Sequence, residues 1–202
     1  MKVEVTRHRI LQVGAELLAR QPYETVDLSQ IASELDCPTD AVIAEFPTLH
    51  ALGSEILNLE GNSMRQAMSE ADEMSLDALE RLCVTFRLVG RNLGTNLIVR
   101  AGIRLAAESA HKFPERKINP FRTWEHFVST TLNEAAEHGL IRSDIQIGEA
   151  TWLLVAVGMG TKDLLQFTGS WADAEDKLES AARATVRMIL TPTEVSNNHA
   201  DS

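Results

Sequence analysis

The chain has 202 residues, 44% of them hydrophobic, enough to fill a sizeable core. Its formal charge is −10, so it lacks the overall basic balance of a typical nucleic-acid binder and leaves room only for a local basic patch. No apolar run approaches the ~20 residues of a membrane span, and the two cysteines, Cys37 and Cys83, in a chain that opens without an apolar leader read as a reduced, cytoplasmic protein.

A first helix is predicted from about Thr6, with Ile10, Val13, Gly14, Leu17 and Leu18 on one face, and it stops at Gln21-Pro22. Two short amphipathic segments follow, residues 28–35 and 39–46, separated only by Asp36-Cys37-Pro38. That is the spacing of a helix-turn-helix. Asp27 can cap the first segment with Gln30 completing a capping pair, Asp36 tolerates a left-handed turn position, and Pro38 suits the opening of the second segment. The first helix supplies the apolar partner face that the pair needs.

A long helix is predicted over 48–69, with Leu49, Leu52, Ile56, Leu59 and Met64 as its apolar positions. Ser75 can cap a helix to about Gly94, and another runs over 96–110 with Ile98, Ile103 and Leu105. The basic stretch 111–120, carrying His111, Lys112, Arg116 and Lys117, reads as a solvated loop. Pro120 opens a helix that reaches His138, a cation-capable residue at the negative end of the dipole, with Gly139 as a C-cap type. The most apolar helix is predicted at 147–168 and the last at 171–190, with Ala182, Val186 and Ile189 on one side. Residues 191–202 have almost no apolar content and are expected to be disordered.

The pattern is all-α, without strand alternation or internal repeat. It divides into a helix-turn-helix domain at 1–47, a larger helical domain at 48–190 for ligand binding and dimerisation, and a tail at 191–202. The last two helices carry more apolar surface than a domain of this size must hide, so they are expected to form an isologous homodimer interface. Gly158 and Gly160 would allow close backbone approach there.

Charge is unevenly spread. Residues 1–52 hold four cations, Lys2, Arg7, Arg9 and Arg20, against eight carboxylates, and from Gln21 through Met64 there is no Lys or Arg. The predicted reading unit is therefore acidic, with its only basic cluster in the N-terminal arm. Catalytic and cofactor signatures are absent: no GxGxxG, P-loop, CxxC, HExxH or GxSxG occurs. His126 and His138 are twelve residues apart and too far around and along one helix to share a metal. No enzyme activity, cofactor or metal is expected. Cys37, near the start of the second short helix, reads as a small apolar residue filling the turn.

The segment RILQVGAELLARQPYETVDLSQIASELDCPTDAVIAEF resembles the N-terminal motif of the TetR family of one-component regulators. VRAGIRLAAES, PFRTWEHF and VAVGMGTKDLL are similar to stretches of its γ-butyrolactone autoregulator receptor subgroup. The resemblance covers most of residues 7–190. It implies nine or ten helices and a dimer that holds operator DNA until a small ligand in the C-terminal domain spreads the two reading heads.

The chain departs from that motif at the DNA grip. The family pattern has glycine, a hydroxyl residue and lysine through the turn, then glycine, tyrosine, histidine and lysine; here stand Asp36, Pro38, Thr39, Asp40, Ile43, Glu45 and Leu49. Ile43 cannot bond a phosphate as a phenol does, Leu49 cannot pair with one, and Glu45 repels it. Losing ~2–4 phosphate contacts per subunit removes counterion release, the source of most non-specific affinity. Arg7, Arg9, Thr39, Asp40, Ile43, Glu45 and Thr48 are the candidate DNA-facing residues, with Asp40 and Glu45 able only to accept from cytosine amino groups.

In the C-terminal domain the resemblance places Trp124 at the ligand pocket, where an indole can stack on a lactone or furan ring, against the alternative of plain core. Thr161 matches a pocket threonine, or else bonds its own helix backbone. Glu60 stands where the subgroup commonly has glutamine, and is either solvent-facing or selective for a donor-bearing ligand. Phe86, Val89, Ile98 and Ile103 are candidates for the apolar wall. The sequence thus points to a dimeric, ligand-responsive regulator of repressor type with weakened DNA binding. The alternative is a binding protein of the same fold that has lost operator affinity and acts by sequestering ligand or pairing with a DNA-competent homologue.

Overall fold

The computed structural model describes residues 6–117 and 119–190. Lys2 and the tail predicted to be disordered lie outside them. Among the described residues the chain folds into nine α-helices: α1 (Arg7–Arg20), α2 (Leu28–Glu34), α3 (Thr39–Glu45), α4 (Leu49–Asp72), α5 (Ala78–Thr95), α6 (Leu97–Lys112), α7 (Pro120–Glu137), α8 (Ile147–Thr168) and α9 (Ala174–Ile189). None is long and apolar enough to cross a membrane. The all-α expectation holds.

The local chemistry of the head follows its sequence closely. The Thr6 hydroxyl caps α1 by accepting from the Arg9 amide. The Asp27 carboxylate accepts from the Gln30 amide while the Gln30 side chain accepts from the Asp27 amide, so a complete capping box starts α2. Asp36 turns the chain at φ 50°, and Pro38 stands at the N-cap of α3. At α5 the predicted cap is displaced. Ser75 sits at φ 52° in the turn, and the Asp77 carboxylate caps α5 by accepting from the Glu80 amide. A carboxylate is the better acceptor at a helix N-terminus, where it also meets the dipole.

Two hydrophobic cores result. One gathers Ile10, Leu18, Ile31, Val42, Phe46, Leu52 and Ile56 from α1 to α4, together with Ala101, Leu105 and Phe113 from α6 and its end. The other fills the body between α5, α7, α8, α9 and the second half of α4. α5 and α9 are pressed together at Gly90, where an added Cβ would overlap the Ala174 carbonyl. Arg183 of α9 donates to the Glu80 carboxylate across this contact and to the Glu179 carboxylate one turn back on its own helix.

The stretch after α6 is not a free loop. Phe113 is fully buried, stacked on His50 at 4.6 Å and edge-on to Tyr23 at 5.4 Å. Lys112 pairs with Glu24, and the Arg116 guanidinium donates to the Ser54 carbonyl and the Asn58 side chain. Its cations fasten it to α4 and to the turn after α1, because the apolar anchor at Phe113 brings them alongside partners.

Candidate functional site

The α3 surface presents Asp40, Ile43 and Ala44 to solvent, with Thr39 and Glu45 half-buried and Val42 turned into the core. Thr48 is occupied in capping α4, its hydroxyl accepting from the Ala51 amide. Arg7, the arm's nearest cation, is engaged within the head. Its guanidinium pairs with Glu55, donates to the Glu45 carbonyl, and lies 4.0 Å above the Phe46 ring. Arg9 is exposed at the first turn of α1.

The body contains a cavity of about 400 Å³ between α4, α5, α6, α7, α8 and α9. Phe86 and Val89 form one wall, Ile103 and Ala106 another, and Trp124 with Phe121 a third. The Trp124 ring stands edge-on to Phe86 at 5.9 Å and to Phe127 at 5.8 Å, so its orientation is fixed by aromatic packing. Gly158 of α8 lies against the Phe86 ring, where an added Cβ would come within 2.9 Å. A cavity of this size suits a small organic molecule.

Four of the six residues expected at a ligand site, Glu60, Phe86, Val89 and Trp124, line this cavity, as does Ile103. Ile98 and Thr161 do not. The cavity-facing positions on α6 are Ile103, Ala106, Ala107, Ser109 and Ala110, whereas Ile98 packs against the head core. On α8 the cavity side carries Val155, Gly158, Met159 and Lys162, a spacing of three and four that excludes Thr161. Gly158 therefore serves the interior of the subunit, and a Cβ added at Gly160 would point into open space. Met159, Lys162 and Phe121 were missed from sequence; the i, i+3, i+4, i+7 phase of α8 could have found the first two.

Glu60 is the cavity's one carboxylate among the described residues. It is not turned to solvent: burial pushes its carboxyl up to about 7, and only a weak attraction from Arg65 opposes this. The Cys83 thiol, buried in the body core, is pushed up to about 11 and is chemically quiet. Among the described residues no three His, Cys, Asp or Glu side chains could hold a metal ion.

α8 and α9 leave large apolar side chains uncovered. Phe167 is 90% exposed, Leu164 66%, Met188 64% and Trp152 62%. A single chain has no use for such surface in water.

Residues 73–190 match a family model described as the tetracycline repressor-like C-terminal domain. No curated protein sequence matches. Among solved structures the chain is similar to CprB of S. coelicolor A3(2), a TetR family protein, at TM-score 0.77 and 23% identity over 93% of this chain and 89% of that one. A γ-butyrolactone receptor described as ArpA-like gives TM-score 0.69 and 20% identity, over 90% and 96% of the two chains. A ketosteroid transcriptional regulator of Mycobacterium tuberculosis gives 0.72 and 14%, over 94% and 97%. With the family model covering more than half of its length, this all-helical chain belongs to the TetR family of transcriptional regulators.

Proposed function

We propose that the chain is a ligand-responsive regulator of repressor type that senses a small, mostly apolar signal, in the manner of a γ-butyrolactone, and grips operator DNA weakly. The observation that carries the ligand half is the mostly apolar cavity with Trp124 held edge-on in its wall. α6 offers a route for the response, since Ile103 and Ala106 face the cavity while Ala101 and Leu105 pack in the head core. α4 does the same with Glu60 and Met64 on the cavity side and Leu52 and Ile56 in the head. Occupying the cavity shifts both helices and, through them, α3.

Two copies meet through the uncovered apolar face of α8 and α9, around Phe167, Leu164 and Trp152. A structure of CprB with its operator is among the similar folds, at 22% identity. This chain's own reading surface carries Asp40 and Glu45 and ties up Arg7, which supports weak or atypical DNA binding. The same observation favours the second reading, a binding protein that acts by sequestering its ligand or pairing with a DNA-competent homologue. Gel-shift titration on the chain's own upstream DNA separates the two. Retardation at ~50 mM salt that vanishes by ~200 mM is the expected result for a weak repressor. No retardation at the lower salt removes the repressor reading and leaves the second.

A further inference from the structure

The Glu60 carboxylate is in an unusual position for a charged group. Among the described residues no hydrogen bond or ion pair reaches it, and the cavity wall around it is mostly hydrocarbon and aromatic, with Ser109, Asn119 and Lys162 as its other polar side chains. The side chain cannot withdraw toward α6, because it packs directly on Gly102, where any added Cβ would overlap its own Cβ. The groups facing it are few. α5, α6 and α7 contribute no charged side chain to the cavity, α8 contributes Lys162, and its own helix contributes the exposed Arg65. Lys162 is already paired with Asp163 at 2.5 Å. An ionised carboxylate so placed is costly until a counter-charge arrives. Trp124 and Phe86 add ring faces of the kind that attract a cation.

We propose that the effector of this chain is a lipophilic amine, whose ammonium group meets the Glu60 carboxylate while its hydrocarbon part lies against Trp124, Phe86 and Val89. This rests on the reading of the cavity as the effector site and narrows the apolar signal to one carrying a protonated nitrogen. A neutral lactone would leave the ionised carboxylate unpaired and could use Glu60 only in its protonated form, as a donor to the lactone carbonyl. The two ligand classes therefore respond to pH in opposite directions. Amine binding strengthens as Glu60 ionises; lactone binding weakens.

The test is calorimetric titration of the full chain and of Glu60→Gln with three probes: 4-phenylbutylamine, its neutral counterpart 4-phenylbutan-1-ol, and γ-decalactone, each at pH 6 and pH 8. In the parent at pH 8 the amine is expected to bind about tenfold more tightly than the alcohol, and about tenfold more tightly than it does itself at pH 6. Glu60→Gln, which keeps the shape, removes both differences while retaining whatever affinity the alcohol and lactone have. The parent comparison decides the matter even without the variant. Alcohol or lactone binding as tightly as the amine at pH 8 overturns the amine proposal and leaves the cavity as effector site. An amine preference that survives Glu60→Gln overturns the role of Glu60. Failure of all three probes at both pH values overturns the reading of the cavity, and the proposal with it.

Discussion

The reading surface at α3 and the wall of the cavity both carry carboxylates where the family pattern has other groups, and they bear them at very different cost. At α3, Asp40 is solvated and Glu45 half-exposed, so the fold is indifferent to their charge. What holds α3 in place is Val42 and Phe46, both fully buried. In the cavity, Glu60 is buried against a mostly hydrocarbon wall and its charge works against the folded state. A surface can change its chemistry without changing the structure, whereas a buried position cannot. An acidic α3 therefore asks nothing of the fold, while an unpaired carboxylate in a mostly apolar wall asks for a partner.

The strongest way to break the comparison is to destroy the body while sparing the head. Gly90→Val drives a side chain into the Ala174 carbonyl and the Glu175 backbone, which cannot move aside as a flexible side chain would. A loss of about 3 kcal/mol or more is expected in chemical denaturation. An unchanged midpoint would mean that α5 and α9 pack more loosely than the geometry requires.

Next comes the cost of the Glu60 charge itself. Its folded carboxyl, at about 7, lies above the ordinary 4.5, so the native state holds the proton more tightly than the unfolded chain. The protein then loses stability as pH rises from about 4.5 to about 7, and the loss is complete above that range. Glu60→Gln is expected to remove this slope and to raise stability at pH 8 by at most about 3 kcal/mol, with no gain at pH 4. Thermal unfolding across that range checks it, and a variant less stable than the parent at pH 8 would contradict an unpaired carboxylate.

The head is sharpened by restoring what it lacks. Ile43→Tyr with Glu45→Lys adds a phosphate donor and a cation on the exposed side of α3 and lifts the carboxylate that stands 4.0 Å from Arg7. Duplex affinity at low salt is expected to rise about tenfold or more, with a steeper dependence on salt. The fold should not notice. The smallest effect is at the α2 capping box, where Asp27→Ala is expected to cost about 1 kcal/mol by leaving the Gln30 amide unsatisfied.

Those magnitudes follow how readable each region is from sequence. Caps and turns obey local rules, so Asp27, Gln30, Asp36 and Pro38 could be placed from neighbours a few residues away. Helix extents followed from periodicity, but Ser75 and Asp77 compete within one turn, and only the fold shows which of them caps α5. The cavity needed helix phase and long-range packing. Resemblance named Trp124 and Glu60 as candidates, and both line the cavity, yet it could not tell that α6 turns Ile98 toward the head. Nor could it tell that Phe113 would convert a basic stretch from loop to fastening, since its partners Tyr23 and His50 lie 90 and 63 residues earlier in the sequence.

Phe113 has one more consequence. The head's hydrophobic core is completed by Ala101, Leu105 and Phe113, residues encoded far downstream of the helix-turn-helix. A fragment ending at residue 47 would leave that core open along one side, and a chimera joined there would inherit a floor cut for another protein's α1. Exchange of reading heads between such regulators has to carry α6 and its trailing aromatic along, so what recombines as one inherited unit is discontinuous in the gene.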